Sequence, residues 1–371
     1  MLVGVPKEIK VLEHRVGLTP ASVREVVLRG HQAIVEHGAG EGIGASDDDY
    51  ARAGATIAAT APEVWAKAQL IVKVKEPQAS ERAMLKPGQL LFTYLHLAPD
   101  PEQTKDLVAS GAICIAYETV TSPTGGLPLL APMSEVAGRM AVQAGAHYLE
   151  KAHGGKGVLL GGVPGVEPAR VVVLGGGVVG MHAITVALGM EADVWVIDRN
   201  VEALRRLWAQ FGPALNTVFS TRDAIDRHVA TADLVVGGVL VPGASAPRLV
   251  SRELVGRMER GSVLVDVAID QGGCFETAHA TTHADPTYVV DHVVHYCVAN
   301  MPGAVPRTST YALNNATLPF ALQLAQEGWK AALKANPHLK AGLNVCAGKV
   351  TYREVAEALG HPYHEPDALL A

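Results

Sequence analysis

Between Val171 and Asp198 the chain carries residues whose order suits the binding of a pyrophosphate. Gly175-Gly176-Gly177-Val178-Val179-Gly180 fits the spacing G-x-G-x-x-G. A match of this kind is weak alone, and its setting gives it weight. It follows the apolar run Val171–Leu174, opens the helical pattern Val178–Leu188 and leads to a second apolar run, Val194–Ile197, that ends in Asp198. Gly175 permits the tight turn, Gly177 lets a pyrophosphate approach the backbone, and Gly180 lets the helix sit close on the sheet. The helix N-terminus presents its N–H groups to the phosphates. Asp198 stands where a carboxylate accepts hydrogen bonds from both hydroxyls of an adenosine ribose, which favours NAD over NADP. Arg199 beside it is the residue that would instead welcome a 2′-phosphate.

Hydride transfer from an amino or hydroxy acid further requires a cation for the carboxylate, an acid–base group, and a group that positions water or ammonia. Such residues belong at the carboxyl ends of parallel strands. Arg15 lies in the loop after the first apolar run, Lys75 ends the run Leu70–Val74, His96 follows Leu90–Tyr94, and Asp270 follows Ser262–Val267. Together these residues are expected to line a cleft from both sides. Each has a plainer reading as well. Lys75 is equally a solvated strand end beside Glu76, and His96 is one of 15 histidines. Arg15 has no special spacing, and Asp270-Gln271-Gly272-Gly273 is also an ordinary turn sequence.

The elements that must position these residues alternate. Leu2–Val5, Ala33–Glu36, Leu70–Val74, Leu90–Tyr94 and Ala112–Ala116 read as strands in the first third. Ala169–Leu174, Asp193–Ile197, Leu234–Val236, Ser262–Val267 and Val293–Val298 read as strands further on. Helical patterns fall between them, as at Pro20–Leu28 after the N-cap Thr19, at Arg222–Val229 and at Ser251–Met258. Strand–helix alternation predicts an α/β fold of mostly parallel, doubly wound sheets. The turn-rich stretch Ser122–Pro128 marks a boundary before a helix that begins near Met133 and Ser134. From Thr317 onward the pattern is helical and is expected to return to the first domain, making that domain discontinuous.

Bulk composition agrees with a folded globular protein of two domains: 371 residues, 49% hydrophobic and 18% charged. A net charge of -6 with scattered basic residues argues against a nucleic-acid partner. The four cysteines form no CxxC pair, so neither a disulfide framework nor a metal site is expected. The N-terminus has charged residues where a signal peptide needs an apolar core, which points to the cytoplasm. Only Val171–Met190 is apolar enough to suggest a membrane span, and its glycines and His182 suit a buried strand, turn and helix better.

Longer strings carry a more specific signal. Gly4–Lys10, Met133–Arg139, Asp270–Thr277 and Asn300–Ser309 closely resemble the alanine dehydrogenase family, and the resemblance runs essentially end to end. It implies two Rossmann-like doubly wound domains, with an NAD-binding domain (residues 131–304) inserted into a discontinuous substrate domain (1–130 and 305–371). It implies that Arg15 and Lys75 bind the substrate carboxylate and carbonyl oxygen, that His96 is the general acid–base, and that Asp270 orients water or ammonia. Tyr94 is implied only as a neighbour of that site. The implied substrates are L-alanine, pyruvate and ammonium. On the cofactor side the resemblance implies Ser134, Gly175, Gly177, Val178, Val179, Gly180, Asp198, Ser220, Val239, Leu240, Ala268, Ile269, Asp270, Val298, Ala299, Asn300 and Met301. Ala203 and His279 depart from the basic residues expected near the cofactor, with Arg199, Arg205 or Arg206 at hand to replace the first. A homo-hexamer without membrane partners is implied too. Three rival readings stand beside this one, a lysine-forming saccharopine dehydrogenase being the most remote. The first is the soluble nucleotide-binding part of a proton-pumping nicotinamide nucleotide transhydrogenase, which would have no use for Arg15, Lys75 and His96 together. The second is a non-catalytic NAD-binding regulator, which would not need His96.

Overall fold

A parallel strand is covered on both faces, so it needs an unbroken apolar run rather than an alternating one. The short runs of this chain meet that demand. The computed structural model describes residues 1–239 and 246–370 and divides into two compact units, Met1–Met133 with Val305–Ala371, and Ser134–Ala304.

The first unit begins with six parallel strands: β1 (Leu2–Val5), β2 (Gln32–Glu36), β3 (Thr56–Ala58), β4 (Leu70–Val72), β5 (Leu90–Thr93) and β6 (Ile113–Ala116). The second unit contributes β7 (Arg170–Leu174), β8 (Asp193–Asp198), β9 (Leu215–Phe219), β10 (Leu234–Gly237), β11 (Val263–Asp266), β12 (Thr287–Val290) and β13 (Val293–Tyr296). The chain then returns to the first unit for β14 (Leu343–Cys346) and β15 (Lys349–Val350).

In the first sheet the order is β15-β14-β6-β5-β4-β1-β2-β3, and in the second it is β12-β13-β11-β10-β7-β8-β9. Each sheet therefore reverses direction beside its own first strand, between β1 and β4 and between β7 and β10. That is the doubly wound dinucleotide-fold order, and the crevice beyond the carboxyl ends at the reversal is where such sheets bind ligands. Both sheets are covered in the expected way. Along β4 and β5, Leu70, Val72, Leu90 and Phe92 face one buried cluster, whereas Ile71 and Leu91 face the other. In the second sheet Val172, Leu174, Val235 and Leu264 join one apolar layer.

Differences from the sequence expectations are local. The pattern Ser251–Met258 yields only the helix Arg252–Val255, because Gly256 follows at once and lowers helix propensity. The tail is not helical throughout: its long helix starts earlier, spans Pro306–Glu327 with Pro319 inside it, and is followed by β14 and β15. Leu343–Cys346 is only four residues long and holds the polar Asn344, too short for periodicity to separate strand from helix. Val171–Met190 is resolved into β7, the glycine turn and the helix Val178–Gly189. Among the described residues no helix is long and apolar enough to cross a membrane.

The returning helix explains what the tail does for the first unit. Asn314 is buried on it, its Oδ1 accepting from the Thr19 amide at 2.8 Å and its Nδ2 donating to the Gly17 carbonyl at 2.7 Å. Thr310 accepts from the Val16 amide at 3.3 Å, and Arg307 donates to the Ile43 carbonyl at 2.7 Å. The loop that follows β1 is thus fastened by a segment nearly 300 residues away. Leaving a buried polar group unsatisfied costs about 1–3 kcal/mol. Asn314→Ala strands two such groups and is expected to lower the unfolding free energy by at least about 2 kcal/mol. Urea denaturation of the variant against the wild type measures it, and an unchanged midpoint would show that these bonds do not hold the loop.

Candidate active site

Arg15 sits in the loop after β1 and is almost wholly buried, at 2% exposure. A buried cation needs a partner, and Glu13 provides one: Arg15 Nε and Nη2 each donate to a Glu13 carboxylate oxygen at 2.6 Å. Nη1 points to Met133 Sδ at 3.0 Å. Burial works against the charge, and the Glu13 bonds outweigh it, so the guanidinium is held above its ordinary pKa. The plane of the fork is therefore fixed.

The end of β4 is fastened by a buried ion triad. Lys73, 0% exposed, donates to Glu8 at 3.0 Å and to Glu81 at 2.7 Å. Glu8 also accepts from the backbone amides of Val74 at 2.6 Å and Lys75 at 3.4 Å. Burial pushes the Glu8 carboxyl up, against the pull of Lys73 and the Val74 amide. Lys75 itself is half-buried, and its carbonyl accepts from Thr93 at 2.9 Å. Glu76 is paired with Lys10, and the Lys75 charge helps keep the Glu76 carboxyl below its usual range although burial opposes this.

His96 follows β5 in the left-handed region, with φ at 49°. That conformation strains a residue with a side chain. Glu118 supports it by accepting from the His96 amide at 2.6 Å and from the Leu95 amide at 3.2 Å. The His96 ring stacks on Tyr94 with centroids 5.7 Å apart and planes 6° apart, and its Nδ1 lies 3.9 Å from Glu118. The Tyr94 hydroxyl donates to the Leu129 carbonyl, and burial pushes its pKa up, so it stays a neutral wall under the imidazole. The side chain of His96 is 45% exposed, which leaves it open to a ligand. Arg15, Lys75 and His96 thus come from the loops after β1, β4 and β5, which are adjacent strands at the reversal of the first sheet.

In the second unit the glycine turn follows β7, and three of its four glycines have separable steric reasons. Gly175 has φ at 99°, and a Cβ there would lie 3.0 Å from Val239. A Cβ on Gly180 would lie 1.8 Å from the Gly175 carbonyl oxygen, so only glycine allows the helix to pack this closely. Among the described residues a Cβ on Gly177 would meet nothing within 4 Å, so the space they leave beside it admits a ligand. The helix Val178–Gly189 starts there with no side-chain cap, leaving its N-terminal amides to be satisfied from outside. These features fit a pyrophosphate. Val178 is exposed, and Val179 is buried. Asp198, half-exposed at the end of β8, accepts from the Gly176 amide at 2.5 Å and the Asn200 amide at 2.7 Å. Arg206 donates to the Gly176 carbonyl at 3.4 Å, placing a cation at the turn where Ala203 supplies none. Arg205 is paired with Glu202.

The remaining expected cofactor residues also follow strand ends. Ser220 comes directly after β9, its amide donating to the Asp198 carbonyl at 3.0 Å. Val239 follows β10; Leu240 lies outside the described residues. Ala268, Ile269 and Asp270 form the turn after β11, with Asp270 exposed. Val298–Met301 follows β13, with Asn300 at φ 61°. Ser134 is the exception, half-buried in the first turn of the helix Ala131–Tyr148. His279, the other departure, stacks on Tyr288 at 3.7 Å.

Sequence reasoning passed over the carboxylates behind these residues: Glu8, Glu13, Glu118 and Asp266. Asp266 is 0% exposed and accepts from the amides of Ala268 at 3.1 Å, Cys274 at 2.8 Å and Phe275 at 3.3 Å. Burial pushes its pKa up to about 6 against those donors. It shapes the turn that presents Asp270. Its one signal was an acid closing an apolar run. Lys73 and Lys75 flank a single valine, and nothing in that spacing tells the buried cation from the half-buried one.

Comparison with known proteins places this geometry. Residues 4–137 match the family model Alanine dehydrogenase/PNT, N-terminal domain, and residues 141–353 match Alanine dehydrogenase/PNT, C-terminal domain. The chain is 61% identical over 370 residues to the alanine dehydrogenase of Halomonas elongata, covering 100% of both. Among solved structures, an L-alanine dehydrogenase aligns with a TM-score of 0.94 at 52% identity, covering 97% of this chain and 99% of that one. A transhydrogenase from Sinorhizobium meliloti aligns with a TM-score of 0.82 at 26% identity, covering 95% and 99%. With two doubly wound sheets, both halves of the family model and full-length relatives, the chain belongs to the alanine dehydrogenase/PNT family.

Proposed function

We propose that this protein is an NAD-dependent L-alanine dehydrogenase that converts L-alanine, NAD and water into pyruvate, ammonium, NADH and a proton, reversibly. The observation that carries the reading is the group on the first sheet: a buried, plane-fixed Arg15 and an exposed His96 backed by Glu118, at neighbouring strand ends. A protein passing hydride only between two nucleotides has no need of a carboxylate cation together with an imidazole. Full-length relatives named alanine dehydrogenase support the same reading.

In this reading Arg15 binds the substrate carboxylate and Lys75 its developing carbonyl oxygen, a charge-assisted clamp that holds the Cα–H in place. His96 takes the proton from the carbinolamine hydroxyl as ammonia leaves and returns one in the reductive direction. Asp270 orients the water or ammonia. The Gly175–Gly180 turn, Ser134, Ser220, Val239 and the loops 268–270 and 298–301 hold the dinucleotide, and Asp198 binds its ribose hydroxyls. NAD, when bound, supplies the hydride acceptor. Arg199 and Arg206 near the acid are the residues to examine should NADP be used. A cytoplasmic homo-hexamer completes the proposal.

Following NADH formation from NAD and L-alanine tests the activity. Alanine-dependent NADH is expected; its absence, with hydride exchange between nucleotides instead, favours the transhydrogenase reading that the Sinorhizobium likeness keeps open. NADP turned over as well as NAD would overturn the role of Asp198.

The residue roles are separable by kinetics. His96→Ala is expected to lower turnover by about two to four orders of magnitude while NADH binding, read by fluorescence, survives. Near-normal turnover would remove His96 from the acid–base role. Arg15→Ala is expected to raise KM for pyruvate and alanine, and an unchanged KM would count against the carboxylate clamp.

A further inference from the structure

His147, Glu150 and His153 gather three metal-ligating side chains away from every residue assigned above, at the carboxyl end of the 18-residue helix Ala131–Tyr148. We propose that they form a binding site for one Zn²⁺ ion per chain. The inference goes beyond the dehydrogenase reading and does not depend on it.

The donor set selects the ion. Two imidazole nitrogens and one carboxylate suit Zn²⁺ and its borderline neighbours, whereas Ca²⁺ and Mg²⁺ seek oxygen ligands. The distances are already close. All three ligand atoms lie within 4.8 Å of one another, with His147 Nδ1 3.8 Å from Glu150 and His153 Nε2 3.7 Å from Glu150. Two ligands that share a zinc at about 2.1 Å each are separated by at most about 4.2 Å. Both histidine–glutamate pairs fall inside that bound, and small side-chain rotations complete the third.

Backbone geometry brings the two imidazoles together. An unbroken helix would carry position 153 on along its axis, away from 147. Here the helix stops at Tyr148, Glu150 is extended with ψ at 144°, and a single 3₁₀ turn, Lys151–His153, folds the chain back. Gly154 at φ 89° continues the reversal. Gly155 presses against the helix end, where a Cβ would lie 2.3 Å from the carbonyl oxygens of Tyr148 and Leu149. Its amide donates to the Glu150 carbonyl at 3.1 Å, and the Gly157 amide donates to the Leu149 carbonyl at 2.8 Å. The His147 and His153 rings end 3.9 Å apart, with Tyr148 edge-on to both. Main-chain bonds and close packing therefore hold the turn that carries two of the three ligands, and the ion need not order it. The side chains are 50%, 61% and 36% exposed, which admits the ion and leaves a fourth position for water. Binding to the folded chain alone would staple the helix end to the turn and stabilise the protein by mass action.

Titration of tag-free protein with zinc sulfate by calorimetry tests the proposal, with the thermal midpoint read in parallel. One ion per chain and a raised midpoint are expected. Loss of an outer partner of a metal ligand already weakens binding by about 10–100-fold, so His147→Ala, Glu150→Gln and His153→Ala are each expected to weaken it by at least about tenfold. All three positions are exposed, so these variants keep the fold, and their turnover of alanine in metal-free buffer should match the wild type's. Absence of binding would overturn the site. Unchanged binding in the His147→Ala/His153→Ala double variant would do so as well, by placing the ion on other histidines.

Discussion

A carboxylate that accepts backbone amides is the interaction on which the strand-end loops of both units rest. Glu8 holds the amides of Val74 and Lys75, Glu118 those of Leu95 and His96, Asp198 those of Gly176 and Asn200, and Asp266 those of Ala268, Cys274 and Phe275. The need is set by the fold. Where a parallel strand ends, its next amides lose their ladder partners, and loops at that edge must find others. An ionised carboxylate accepts in several directions at once, with bonds about twice as strong as neutral ones. One side chain can therefore fix two or three successive amides and with them the residue that follows.

After β4 and β11 this arrangement also places a deep charge behind a shallower one. Lys73 is wholly buried between Glu8 and Glu81, and removing either kind of partner from such a group leaves an uncompensated charge. Lys75, two residues on, is half-buried, its amide held by the same Glu8. The same division recurs after β11, where buried Asp266 shapes the turn and Asp270 is exposed on it. After β5, Glu118 offsets the left-handed strain at His96, so the imidazole projects from a backbone that would otherwise relax.

What was legible in the sequence follows the range of the interactions. Apolar runs, the Thr19 cap and the glycine turn are set by neighbours a few residues apart, and a reader of the sequence sees them directly. Even the separate tasks of Gly175, Gly177 and Gly180 follow from one local geometry. Edge strands such as Leu215–Phe219 and the pair β14–β15 were harder, since they are short and mix polar with apolar residues. The carboxylate fasteners were not legible as such. Glu8 acts 66 residues away at Val74, Glu118 acts 22 residues back at His96, and Asn314 acts nearly 300 residues back at Gly17 and Thr19. No periodicity links such positions; only the strand order does.

The two sheets share one strand order, and yet they fasten their reversal points for different ends. In the second sheet the turn after β7 carries glycines, so that among the described residues its backbone is left open beside Gly177, and Asp198 ties down the Gly176 amide of that turn and the Asn200 amide beyond its own strand. In the first sheet the corresponding loops carry long polar side chains, and each needs its own support: Glu13 for Arg15, Glu8 for Lys75, Glu118 for His96. A surface of backbone amides suits a ligand recognised by its phosphates, whereas fixed side chains suit a small molecule that must be held by its carboxylate and relieved of a proton. The same strand order is thus suited to two kinds of recognition, and the difference lies in whether glycines or buried carboxylates occupy the loops at the reversal.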